Sequence, residues 1–193
     1  LAQSQRPLIV GRAGSGKTAL LKWLTVRAAN GDFEEPMGGW NNKVPFYVRL
    51  RDFAKDSLPT PQILPLAYKP LRDLRDRLSD DWARRQLKEG RALLLIDGLD
   101  EIGENKRAEV LNWLTNLQML YPDVHYVVST RPATLQDALM RTRYEKLGFA
   151  PLRLQPLSVE SAAQLVTQWH EAMGDDRSEL LPSEKKELPA LAE

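Results

Sequence analysis

The chain has no cysteine, which excludes disulfides, thiolate metal centres and a cysteine nucleophile. It has two histidines, His125 and His170, far apart in sequence, so a histidine-based metal centre is not expected. Charge of one sign is also missing: 27 Lys and Arg stand against 26 Asp and Glu, a net of +1. Such a balance does not favour DNA, RNA or an anionic membrane surface as partner. No apolar run is long enough to span a bilayer, and no leader pattern opens the chain. The first residue is Leu1 rather than Met, which reads as a piece of a longer protein. The remainder is ordinary globular material, with 42% hydrophobic and 27% charged residues in 193, enough for one well-packed domain.

One stretch organises the rest. Gly11-Arg12-Ala13-Gly14-Ser15-Gly16-Lys17-Thr18, followed by Ala19, lies between a short apolar run, Leu8-Ile9-Val10, and an apolar-periodic segment reaching Asn30. Strand, glycine-rich turn and helix are the context that a phosphate-binding P-loop requires. Glycines permit backbone angles that turn successive N–H groups inward around phosphate oxygens. The helix aims its positive dipole end at the same place. Lys17 adds a mobile charge for the terminal phosphates, and Thr18 a hydroxyl for Mg²⁺.

Downstream, strands and helices alternate. Val44 to Leu50 reads as a second strand. Leu58 to Pro70 carries four prolines and is expected to be loop with at most single helical turns. A helix is expected from about Asp80 to Glu89, capped by Asp80 or Asp81 and stopped by Gly90. Arg91 to Asp97 holds the most apolar run of the chain and suits a parallel strand covered on both faces. A helix follows over about Asn105 to Tyr121, with Val110, Leu111, Leu114, Leu117 and Leu120 along one side. Val124 to Thr130 is the fourth strand, and a short helix is expected near Thr134 to Arg141. Leu152 to Leu154 is a fifth strand. Ser158 caps a last amphipathic helix through His170, with Ala162, Leu165, Val166 and Trp169 on its buried side. The alternation predicts an α/β fold with a mostly parallel sheet and ligands at the C-terminal strand ends.

The candidate chemistry collects at those ends. Asp97 closes the third strand, where its carboxylate can share a Mg²⁺ with Thr18. Asp100 and Glu101 sit on the turn beyond, and one of them is placed to orient and deprotonate a water, with Asp100 slightly favoured. Capping of the helix near Asn105 is the competing use for one of these acids. Arg131, after the fourth strand, is placed to sense a γ-phosphate and stabilise transition-state charge; a surface arginine before a turn proline is the competing reading.

These segments resemble a family. The loop from Gly11 to Thr18, the run Leu93-Leu94-Leu95-Ile96-Asp97-Gly98-Leu99-Asp100-Glu101 and Ser129-Thr130-Arg131-Pro132 are similar to those of NACHT domains, STAND-class P-loop NTPases related to AAA+ ATPases. Val44 to Asp52 and Leu154 to Ser158 are also similar, so the resemblance reaches about His170. It implies a three-layer α/β/α P-loop NTPase core over residues 1–173, with 174–193 a linker or the start of a helical extension. It implies five strands in the order 2-3-4-1-5, ATP or ADP bound by residues 11–19, and Mg²⁺ held by Thr18 and Asp97. Asp100 and Glu101 would serve the water, and Arg131 would act as sensor 1. It further implies a slow Mg²⁺-dependent ATPase, a cytoplasmic setting, sensor and effector domains as neighbours, and a homo-oligomer on activation. No nucleic acid and no membrane is expected as partner. A different class of function is a nucleotide-gated interaction module with little or no turnover, closed with ADP and open with ATP.

A GTPase also deserves weighing. Asp100-Glu101-Ile102-Gly103 spells DxxG, and Asn105-Lys106 begins NKxD. Yet the strand-ending aspartate is Asp97, and position 108 is Ala, so guanine specificity is not expected.

Overall fold

A computed structural model of the chain describes residues 4–67, 79, 81–136 and 138–175. The chain divides into two compact units, Leu1–Leu154 and Gln155–Glu193.

The first unit is built on five parallel strands in the order β2-β3-β4-β1-β5. These are β1 (Pro7–Val10), β2 (Val44–Arg49), β3 (Ala92–Asp97), β4 (His125–Thr130) and β5 (Ala150–Arg153). The helices are α1 (Lys17–Asn30), α2 (Trp82–Lys88), α3 (Glu104–Leu120) and α4 (Ala138–Lys146). β1 and β3 are apolar throughout except for the terminal Asp97, and both are buried along their whole length. Residues alternate between two faces along each strand. Leu94, Ile96, Val128, Leu8 and Val10 share a core with Val110, Leu111, Leu114 and Leu117 of α3. Leu93, Leu95, Val127 and Ile9 share another with Leu21, Leu24 and Ala28 of α1. Each fully buried leucine contributes about 2 kcal/mol of transfer free energy. Helices thus cover both faces, and every strand's C-terminal end opens on one edge of the sheet.

Trp40 packs as an anchor, 3% exposed and edge-on to Phe33. Gly31 ends α1 with φ 66°. The proline-rich stretch forms one 3₁₀ turn, Leu64–Leu66, and residues 68–78 lie outside the described set. Asp81 stands at the N-cap of α2 without a side-chain capping bond, and Asp80 is not described.

Three local expectations are corrected. The helix expected at Thr134 to Arg141 starts later: Pro132 initiates a 3₁₀ turn to Leu135, and α4 begins at Ala138. Proline tolerates such a first turn, and the chain re-enters a helix only beyond it. Leu120 is 67% exposed, because the buried stripe of α3 drifts along i,i+4 steps to Gln118 and Tyr121.

The third correction falls in the second unit, on α5 (Val159–Asp175). Ser158 caps it as the pattern predicts, its Oγ accepting the Ser161 N–H at 3.1 Å. Leu165 and Val166, however, are about half exposed rather than buried. A 3.6-residue period states which side is apolar, not that a surface covers it. Residues 169 and 170, and the extension from 176, fall outside what is described for side chains or backbone.

Candidate functional site

The loop between β1 and α1 is shaped by its glycines. Gly14 and Gly16 have φ of 74° and 86°, in the left-handed region that a Cβ disfavours. Gly11 lies where a Cβ would collide with Ser15 Oγ, and its N–H donates to the Thr130 carbonyl at 3.1 Å, tying the loop to β4. The Ser15 N–H donates to the Arg12 carbonyl at 3.2 Å, closing the turn. Lys17 folds back over it, donating from Nζ to the carbonyls of Gly11 at 2.8 Å and Arg12 at 2.9 Å.

α1 has no capping side chain and no acidic residue in its first turn. The first-turn N–H groups are therefore left for an anion, and no acidic residue of the helix itself offsets the positive end of its dipole. That end lines a cavity of about 320 Å³ together with Ala13, Gly14, Ser15, Asp97, Asp100, Glu101 and Arg131. Lys17, Thr18 and Ala19 complete the wall on the helix side. A larger cavity of about 460 Å³, against Leu8, Val10, Tyr144 and Phe149, is mostly apolar and contains neither the loop nor the carboxylates. Chemistry, not size, selects the smaller one.

Asp97 is 4% exposed at the end of β3. Thr18 Oγ1 donates to its Oδ2 at 2.8 Å, across 79 residues of sequence. Tyr47 from β2 donates to the same oxygen at 2.9 Å, and Ser129 from β4 donates to Oδ1 at 2.6 Å. Ser129 Oγ accepts the Gly98 N–H at 2.9 Å, and Gly98, at φ 84°, turns the chain sharply out of the strand. The 3₁₀ turn Leu99–Glu101 carries the next two acids back over the sheet edge. Asp100 pairs with Arg131, Oδ2 to Nε at 2.6 Å, with the carboxylate 7% and the guanidinium 50% exposed. Glu101 faces Arg51 at 3.8 Å. None of the three acids caps α3, whose N-cap is Gly103 with no side-chain capping bond. Arg49, Arg51's neighbour on β2, turns instead to Asp52, which it meets at 2.9 Å.

The donor set can be tested against what it would hold. Thr18 Oγ1 and the Asp97 carboxylate are hard oxygens, suited to Mg²⁺. Among the described residues no three His, Asp or Glu side chains gather as an all-protein metal cage. A site of one carboxylate and one hydroxyl matches a cation whose shell is completed by phosphates and water. Ser15 Oγ and Asp100 Oδ1 are buried without a hydrogen-bond partner among the described residues. Buried polar atoms rarely stay so, and both line the cavity, which fits an anion and its water. The residues present fit a magnesium–nucleotide.

All the residues singled out from sequence, Gly11 to Ala19, Asp97, Asp100, Glu101 and Arg131, therefore meet at one strand-end cavity or its floor. Sequence reading missed Tyr47 as a partner of Asp97, and gave Ser129 no role of its own. The available signal was parity: Tyr47 aligns with Leu95, two residues before Asp97 and on the same face. The model of the family described as NACHT domain matches residues 5–173. A comparison with curated proteins found no match.

Proposed function

The chain belongs to the NACHT family, and from that membership we propose that it is an ATP-binding, magnesium-dependent module acting as a nucleotide-dependent signalling switch in a larger STAND protein. The observation that carries this reading is the 2.8 Å bond between Thr18 and Asp97 beside the left-handed glycines of the loop. A hydroxyl and a carboxylate side by side next to the loop's amides support one cation beside one polyphosphate. In this reading residues 11–19 cradle the phosphates, Lys17 neutralises them, and Thr18 with Asp97 hold Mg²⁺. Bound magnesium would neutralise charge developing on the transferred phosphoryl group. Asp100 or Glu101 orients the water, and Arg131 reads the γ-phosphate.

A second reading, a gate with little or no turnover, is favoured by a separate observation. Both candidate bases are already engaged by arginines, Asp100 at 2.6 Å and Glu101 at 3.8 Å. A carboxylate oxygen held by a guanidinium is not open to a water's proton in that arrangement. Hydrolysis then waits on release of that pair, and the bound nucleotide persists long enough to act as a state.

The experiment is a comparison of the chain with its Lys17→Ala variant by equilibrium dialysis against ATP and ADP with Mg²⁺, alongside steady-state phosphate release. The variant should lose most affinity, and ATP binding equal to that of the parent chain would refute the assignment. Phosphate release at about 1 s⁻¹ or faster would favour an enzyme over a gate.

A further inference from the structure

Asp97 supplies two carboxylate oxygens, and three hydroxyls donate to them. The direction of one is fixed by its neighbour. Because Ser129 Oγ accepts the Gly98 N–H, its own proton goes to Asp97 Oδ1. The other oxygen, Oδ2, takes both Thr18 and Tyr47. These two donors differ in what else is asked of them. Under the nucleotide reading, on which this inference rests, Thr18 turns its oxygen to the cation. A hydroxyl oxygen bound to a cation no longer depends on the carboxylate for its place. Tyr47 has no such second duty at the cation.

Tyr47 also reaches Asp97 in a way that only a long side chain allows. It is aligned with Leu95, so its ring runs forward along the sheet face past one turn of the pleat to the strand end. The ring is 6% exposed and packs with Ile9, Leu93 and Leu95. Phenylalanine would fill that space equally well. A buried hydroxyl costs free energy unless it is partnered, so packing alone gives no reason for the oxygen. The carboxylate gives one.

We propose that Tyr47 is a positioning residue for the metal site, acting through Asp97. It holds Oδ2 in place, while Ser129 holds Oδ1. With two anchors on separate strands, β2 and β4, the carboxylate would keep its orientation whether or not Thr18 stayed on it. Of the two residues proposed to hold the cation, Thr18 and Asp97, only Asp97 carries charge, so its orientation bears directly on the metal affinity. Groups behind a metal ligand typically change affinity by about 10- to 100-fold when removed. With Ser129 still in place, the lower end of that range applies to Tyr47.

The test uses the chain as it stands and its Tyr47→Phe variant. Binding of a fluorescent ATP analogue is titrated at graded Mg²⁺ and again in EDTA, with urea unfolding run on both proteins. The expected result is a rise of about tenfold in half-saturating Mg²⁺, with analogue affinity in EDTA unchanged. A role in packing alone would leave the Mg²⁺ dependence where it was, and that result overturns the proposal. Tyr47→Leu, which also lacks the hydroxyl, should give the same Mg²⁺ shift and serves if the first variant folds poorly. Should the parent chain bind the analogue with no response to Mg²⁺, the nucleotide reading fails along with this one. A parent that responds and a variant that matches it removes only the role of Tyr47.

Discussion

Replacing Arg131 by alanine tests the site from both directions. In the structure its guanidinium lies 2.6 Å from Asp100, whose carboxylate is 7% exposed while the arginine is half exposed. Opposite charges about 4 Å apart at an effective dielectric of 20 attract by about 4 kcal/mol. Screening of the exposed guanidinium and desolvation of the acid reduce the net to about 1–2 kcal/mol. A charge-assisted bond to a γ-phosphate is worth about 1.5–3 kcal/mol. For ATP to gain that bond Arg131 must first leave Asp100, so the surplus of ATP over ADP is about 1 kcal/mol, roughly fivefold. Arg131→Ala should erase that factor. Asp100→Asn, by removing the competing partner, should widen it toward the full value, tenfold or more. Both ratios follow from calorimetric titration of Mg²⁺-ATP and Mg²⁺-ADP. If neither substitution moves the ratio, Arg131 does not read the third phosphate and the competition argument is wrong.

The same Asp100→Asn variant should lower phosphate release at saturating ATP by about 100-fold or more, as loss of a general base does; a full rate would pass the role to Glu101, for which Glu101→Gln is the matching measurement. His125 gives a pH prediction. Burial holds its pKa below the ordinary 6.5, aided by the Lys43 charge and opposed by a backbone hydrogen bond at Asp123. The unfolded chain therefore binds more protons than the folded one below pH 6.5, and stability falls as pH drops through that window. His125→Gln should flatten the slope of unfolding free energy on the acid side of pH 6.5 by up to about 1.4 kcal/mol per pH unit. Parallel curves for the two proteins would show that this imidazole is not the group responsible.

What the sequence discloses depends on the kind of signal. β1 and β3 are legible because a buried parallel strand has to be apolar on both faces, and Leu8-Ile9-Val10 and Leu93-Leu94-Leu95-Ile96 are. Residues 11–18 are legible because loop geometry demands glycine at fixed places. Strand order is not a property of any local window; 2-3-4-1-5 came with the family resemblance, and the pairing of β1 with β4 and β5 agrees with it. The start of α4 differs because Pro132 opens a 3₁₀ turn first, and Leu120 is exposed because the buried stripe of α3 drifts past it to Gln118 and Tyr121. Leu165 and Val166 show the same limit, since amphipathicity is a request for cover and not a record of it. Tyr47 stayed hidden for another reason: its partner is 50 residues away, and a tyrosine within Val44–Arg49 reads as an ordinary strand former.

Lys17 already has partners, the carbonyls of Gly11 and Arg12, within its own loop. An incoming polyphosphate meets an ammonium that is occupied. Capture is then an exchange of acceptors, and its heat is a difference between two strong sets of bonds. Tight binding and large enthalpy need not coincide in such a loop.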